Sequence, residues 1–215
     1  MRTSRRSVAV TGPLVAGLAV LTLAACGGGG GSTAAAAKPT ASASKADPMD
    51  GLVGAGCEDY ARQMPAGQGS LQGMSNSTLV KAASNNPMLT TLTAAVTGKL
   101  NSDVDLQKTL ESGEFTVFAP VDDAFEKISR GKLARALGSE KLLNKVLTYH
   151  VLVGRMAPDQ VDGKHETMEG ETLRVSGAGN GLKVNGAPVI CGGIRTENAT
   201  IYLINTVLIP PSLNK

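Results

Sequence analysis

Residues 115–125 read Phe-Thr-Val-Phe-Ala-Pro-Val-Asp-Asp-Ala-Phe, and this run decides the fold. Phe115-Thr116-Val117-Phe118 is aromatic and β-branched, the composition of a buried strand. Pro120 ends that strand, because it lacks the N–H that a ladder needs. Asp122 is then expected to cap a helix whose apolar face begins at Ala124, Phe125 and Ile128. All three phenylalanines of the chain, Phe115, Phe118 and Phe125, fall within this stretch, which suggests a hub of the core rather than a reactive site.

Upstream of the hub the rhythm is helical. Cys57–Met64 reads as a short helix ended by Pro65 and Gly67, and Ser77 or Thr78 starts another that runs through Ser84. Asn86-Pro87 has the pattern of a cap followed by proline at the first helical position, and Leu89, Leu92, Val96 and Leu100 follow it at helical spacing. One more short helix is expected over Asp105–Glu111. Downstream, Leu133, Leu137, Leu142, Leu143, Val146 and Leu147 mark two helices, the second capped by Ser139 and ending at Tyr149-His150. From Thr167 onward the period changes to two. Thr172–Val175 alternates, Asn180-Gly181 and Asn185-Gly186 are turn dipeptides, and Val189-Ile190 and Ile201–Ile204 are strand candidates. Helices first and strands later argue an α+β fold.

Three stretches in this order resemble the fasciclin-like domain, an adhesion and interaction module: Phe115–Phe125, the Tyr149-His150 pair within Leu-Thr-Tyr-His-Val-Leu-Val-Gly, and Ile201–Pro210. The resemblance is narrower still to mycobacterial single-domain fasciclin surface antigens. It covers residues 76–211 and implies a wedge of β-sheet with helices packed along one side. Phe115, Phe118, Pro120, Asp122, Phe125 and Asn205 then stand at structural positions of the motif. Val121 takes the place of the usual Ser or Thr, Asn205 that of the commoner Asp, and Asn198-Ala199 that of an Asn-Gly turn. Because the Tyr-His region has been linked to integrin binding in animal fasciclin proteins, the resemblance makes Tyr149 and His150 candidate interaction residues. The residues themselves favour a core histidine whose ring nitrogens bond to backbone near the second signature.

The N-terminus carries an address. Residues 1–25 have a basic start at Arg2, Arg5 and Arg6, an apolar stretch, and the ending Leu23-Ala24-Ala25-Cys26 of a bacterial lipobox. Cys26 is the expected site of lipidation, with an ordinary signal peptide cut after Ala25 as the rival, and Ser4-Arg5-Arg6 leaves twin-arginine export open beside the general route. Residues 26–47 are a Gly/Ala/Ser/Thr tether with a typical span of about 25 Å, whose hydroxyls are candidate sugar acceptors. Residues 48–75 form an N-terminal extension of the domain. In an exported chain, Cys57 and Cys191 are either a disulfide, the expected state, or two separate buried thiols. Closing so long a loop is valued at roughly 4–5 kcal/mol by chain-entropy arguments.

Composition narrows the function classes. The chain has 21 basic and 18 acidic residues, and loss of the three leader arginines leaves the two signs equal. No basic block points to nucleic acid, and with no Trp and six Phe plus Tyr there is little for base or sugar stacking. Neither a nucleophile elbow nor a phosphate loop occurs, and Gly177–Leu182 reads as a hairpin turn rather than a dinucleotide loop. Asp122 and Asp123 diverge by about 100° on a helix and cannot face one substrate. His150 and His165 lack ligand spacing, so no metal and no cofactor is expected. The expectation is a monomeric, lipid-anchored protein on the outer face of a bacterial cytoplasmic membrane, with a shed form open, that acts in adhesion or in protein or extracellular-matrix contact without catalysis. The alternative is an envelope carrier of a small apolar ligand or lipid, held in a groove between helices and sheet.

Overall fold

Strand β1, Phe115–Pro120, is buried along its whole length and lies inside a seven-stranded sheet of order β2-β1-β7-β6-β5-β4-β3. In the computed structural model, residues 49–213 are described. The leader, Cys26 and the tether of residues 26–47 lie outside them. Alternate residues of a strand face opposite sides, and β1 uses both. Phe115, Val117 and Ala119 pack into a helix-side core, while Phe118 joins a second core on the other face. Strand β7, Ala199–Ile204, runs parallel to β1 and divides in the same way, with Ile201 and Leu203 on one side and Tyr202 and Ile204 on the other.

The helices precede and interrupt the sheet. They are α1 (Cys57–Gln63), α2 (Leu71–Ser75), α3 (Leu79–Ser84), α4 (Thr90–Val96), α5 (Gln107–Glu111), α6 (Asp122–Glu126), α7 (Arg130–Leu137) and α8 (Glu140–Tyr149). The remaining strands are β2 (Val151–Val153), β3 (Gly163–Glu166), β4 (Thr172–Ser176), β5 (Lys183–Val184) and β6 (Ala187–Arg195). Strands β3 to β6 form an antiparallel meander. It carries Leu173, Val175, Leu182 and Val184 over the Phe118–Tyr202 ring pair, whose centroids are 5.4 Å apart, and so closes the second core. The fold is α+β, as the order of periodicities implied.

Strand β6 has register shifts between Val189 and Cys191 and between Gly192 and Ile194. A bulge leaves residues out of the ladder and bends the strand. Here the freed backbone receives the N-terminal extension. Val53 and Gly192 exchange both backbone hydrogen bonds, at 3.0 and 2.7 Å, and Gly56 N–H donates to Ile190 O at 2.9 Å. Cys57 and Cys191 form a disulfide beside these contacts, across a separation of 134 residues. Gly192 is required for close approach: a Cβ there would lie 2.2 Å from Cδ1 of Tyr202, its partner on β7.

Several sequence expectations need correction. Asp122 does not cap its own helix, whose N-cap is Val121. Its carboxylate instead accepts from Thr90 N–H and Thr91 N–H at 3.2 and 2.8 Å, and from the Thr90 hydroxyl at 2.6 Å, so it caps α4 from a distance in sequence. Asn86-Pro87 does not open α4, because Asn86 Oδ1 accepts from Met88 N–H in a local turn and the helix starts at Thr90. Leu100 falls off the apolar stripe, 40% exposed, because α4 ends at Val96 and the chain turns back to bridge Thr97 with Asp105. Similarly, Asp105 accepts from Gln107 N–H and α5 begins there. After α8, strand structure resumes at Val151 rather than at Thr167. Three-residue β2 follows α8 directly, and β3, Gly-Lys-His-Glu, has no buried residue to set a period of two.

Candidate functional site

Helix α8 delivers Tyr149 and His150 to the middle of the molecule. Ser139 Oγ caps its start by accepting from Leu142 N–H, and His150 is its C-cap. Both candidate interaction residues are buried, Tyr149 at 0% and His150 at 2% exposure, so neither side chain has surface to present. The imidazole is committed on both nitrogens. Leu208 N–H donates to Nε2 at 2.9 Å, so Nε2 must be unprotonated, and the ring proton sits on Nδ1, which donates to Val146 O at 2.7 Å. Burial lowers the His150 pKa to about 4, against the smaller opposing effect of the Val146 carbonyl. Its own carbonyl accepts from Phe118 N–H at 2.9 Å. One residue of the middle signature thereby bonds to the first signature through its backbone and to the last through its ring.

Tyr149 works in the other direction. Its hydroxyl donates to Thr172 O at 3.1 Å and accepts from Asn185 Nδ2 at 2.8 Å. Desolvation raises its pKa. Asn185 sits in the β5–β6 turn with φ +48°, followed by Gly186 at φ +84°, the left-handed pair that the Asn-Gly dipeptide signalled. The two buried side chains hold the two walls of an open cleft of about 670 Å³. Tyr149 fixes Asn185 on the turn wall, and His150 fixes Leu208 on the wall formed by the segment after β7. Asn185, Pro188, Thr206 and Pro211 are the exposed side chains of the cleft.

Two further features frame the site. Lys145 on α8 pairs with Glu169 at 2.8 Å and Glu171 at 3.2 Å. Glu171 also accepts from the Ser212 hydroxyl and from Ser212 N–H, so this carboxylate clamps the C-terminal segment, and the Ser212 bonds hold its pKa below the usual value. An apolar groove of about 320 Å³ is bounded by α4, α6, α7, α8 and the segment after β7, with His150 in its lining. Phe125 and Pro120 of the first signature line it.

The other motif residues are structural in their contacts. Phe115 and Phe118 occupy the two cores, Asn205 O accepts from Lys127 Nζ at 2.8 Å, and Asn205 Oδ1 accepts from the Thr206 hydroxyl. Asn198, which the sequence places only in a turn, does more. Its Oδ1 caps α3 through Leu79 N–H at 2.8 Å, and its Nδ2 donates to Leu110 O and Gly113 O at 2.8 and 3.1 Å. No local pattern announces a cap supplied from 119 residues away. Among the described residues, no group of three His, Cys, Asp or Glu side chains is placed to hold a metal ion.

The fasciclin domain, as a family profile, matches residues 87–210. The chain is 49% identical over 174 residues to the cell surface glycolipoprotein MPB83 of Mycobacterium bovis, covering 81% of this chain and 79% of that protein. It is 44% identical over 208 residues to the immunogenic protein MPB70 of the same species, covering 97% and 98%. Among solved structures, it is similar to a fasciclin domain pair of the insect cell adhesion molecule fasciclin I, with TM-score 0.53 and 15% identity over 65% of this chain and 53% of that one.

Proposed function

The chain belongs to the fasciclin-domain family, and from that premise we propose that it is a non-catalytic protein of the bacterial cell surface, working through adhesion or contact with a protein or matrix partner. The names of its relatives, cell surface glycolipoprotein and immunogenic protein, support export to the envelope. Attachment is through lipid on Cys26, after removal of residues 1–25, with residues 26–47 as a tether that carries sugars. An intact mass of the native protein tests lipid and sugar together.

The observation that carries the interaction reading is the division of labour around Tyr149 and His150. The pair is buried and spends its polar atoms on Thr172, Asn185, Val146 and Leu208. Its role in recognition is therefore to set the two walls of the cleft above it, and the contacts are made by Asn185, Pro188, Thr206 and Pro211. Such a surface needs no reacting group, consistent with a family whose function lives in sites grafted on a fold.

The test is cross-linking from the cleft on intact cells, with a photoreactive residue at Pro188 or Thr206 and identification of the captured protein. With the photoreactive residue moved to Pro211, also exposed in the cleft, Pro188→Arg with Thr206→Arg should abolish capture while leaving the urea midpoint unchanged. Equal capture by the double variant, or none from either cleft position, would sink this reading.

A further inference from the structure

Among the described α-helices, α7 is the one with no buried residue, although its sequence, Arg-Gly-Lys-Leu-Ala-Arg-Ala-Leu, has an apolar face. Leu133, Ala136 and Leu137 of that face line the 320 Å³ groove, and Leu137 also packs against the helix-side core. The buried lining includes Leu92, Leu143, Leu147 and the neutral ring of His150, and half-buried Phe125 and Leu133 add to it. Lys132 and Arg135, both exposed, are the charged residues of the lining, and no carboxylate contributes. Among the described residues, neither cation makes an ion pair, and nor does Arg130 at the start of the same helix. The ion pairs of this face stop at Lys145.

An apolar cavity in the few-hundred-Å³ range with a small number of placed polar groups is the usual form of a small-ligand site. Here the placed groups are two free cations on one short helix. We infer that the groove binds a single-chain lipid carboxylate, a fatty acid, with its tail among the leucines and its carboxylate between Lys132 and Arg135. The charge selects against cationic and neutral amphiphiles. The modest volume suits one acyl chain and excludes the folded helix of a protein partner.

The experiment is a calorimetric titration of the full chain carrying Cys26→Ser, so that no acyl group of its own competes. The probes are saturated fatty acids of stepped length, kept below the concentration at which they self-associate, with an alkyltrimethylammonium of matched length as control. Saturable one-to-one binding is expected, weakening roughly fourfold for each CH₂ removed, with the cationic control at least about tenfold weaker. Lys132→Glu with Arg135→Glu, both on the surface, should reverse the preference between carboxylate and ammonium. Ala136→Phe should fill the groove and weaken both by about tenfold or more without lowering the urea midpoint. No saturable binding, affinity indifferent to chain length, or a charge preference untouched by the double variant would each overturn the proposal. So would a dimer in sedimentation that takes up no fatty acid, since a second copy would then cover the groove.

Discussion

Lowering the pH below neutrality should destabilise this protein through one buried residue, His150. His150 has a folded-state pKa of about 4, against an ordinary value of 6.5. The unfolded chain therefore binds the proton more readily, and stability falls as pH falls. It is fully present above 6.5, declines between 6.5 and 4, and levels off below. The cause is geometric as much as dielectric. A proton on Nε2 would face the Leu208 N–H across 2.9 Å, donor against donor, on a residue only 2% exposed. From the two pKa values, the loss between about pH 7 and about pH 4.5 is on the order of 2–3 kcal/mol. With a urea m-value of about 2 kcal/mol/M, the midpoint should fall by about 1–1.5 M. The control is His150→Gln, which lowers stability at pH 7 but has no proton to gain. Its midpoint should hardly change over the same interval. Wild type and variant shifting in parallel would refute the reasoning, because the pH dependence would then come from other groups.

Three further perturbations test the frame that holds the site. Cys57→Ser with Cys191→Ser should cost up to about 5 kcal/mol, the chain-entropy value for a separation of 134 residues, read as a lower urea midpoint. Removing the distant caps should cost about 1–2 kcal/mol for Asp122→Ala and about 2–3 kcal/mol for Asn198→Ala. Because they act on different helices, α4 and α3, the double variant should be additive within about 0.5 kcal/mol. Gly192→Ala should cost about 3 kcal/mol, a fall in Tm on the order of 10 °C, since the new methyl meets a fully buried Tyr202 ring that has nowhere to go. A Tm within a degree or so of wild type would mean that β6 can move away.

What was legible in the sequence is what short-range physics decides. The Phe115–Phe118 strand, the Ser139 cap, the Asn185-Gly186 turn and the alternating Thr172–Val175 strand each depend on residues a few positions apart, and each was readable for that reason. The oxidised Cys57–Cys191 pair followed from export, not from geometry. The failures share one physical cause, which is a partner far away in sequence. Asp122 looked like a local cap because Asp at a helix start usually is one, and the competing helix end at Thr90 is visible only in space. Asn198 gave no hint of bonding to Leu79, Leu110 and Gly113. The Tyr149-His150 pair was located correctly at the end of α8, but its burial depended on which strands closed over it.

The segment after β7 links the two surfaces of the molecule. Val207 and Ile209 contribute to both the apolar groove and the open cleft, so the same few residues form a wall between them. That wall is not a ladder strand. It is fixed at Leu208 by the His150 ring and further along by Glu171 bonding Ser212. A wall held at separate points can shift between them more readily than one held along its length. A chain seated in the groove presses on Val207 and Ile209 from one side, and a partner in the cleft meets them from the other. Coupling between the two sites, if both are occupied as proposed, must be reciprocal and must pass through this segment. The Leu208 amide is the place to read it. Its exchange with solvent should slow when a fatty acid fills the groove, and should become fast and insensitive to ligand in His150→Gln. An amide equally protected with and without ligand would mean that the groove and the cleft are independent.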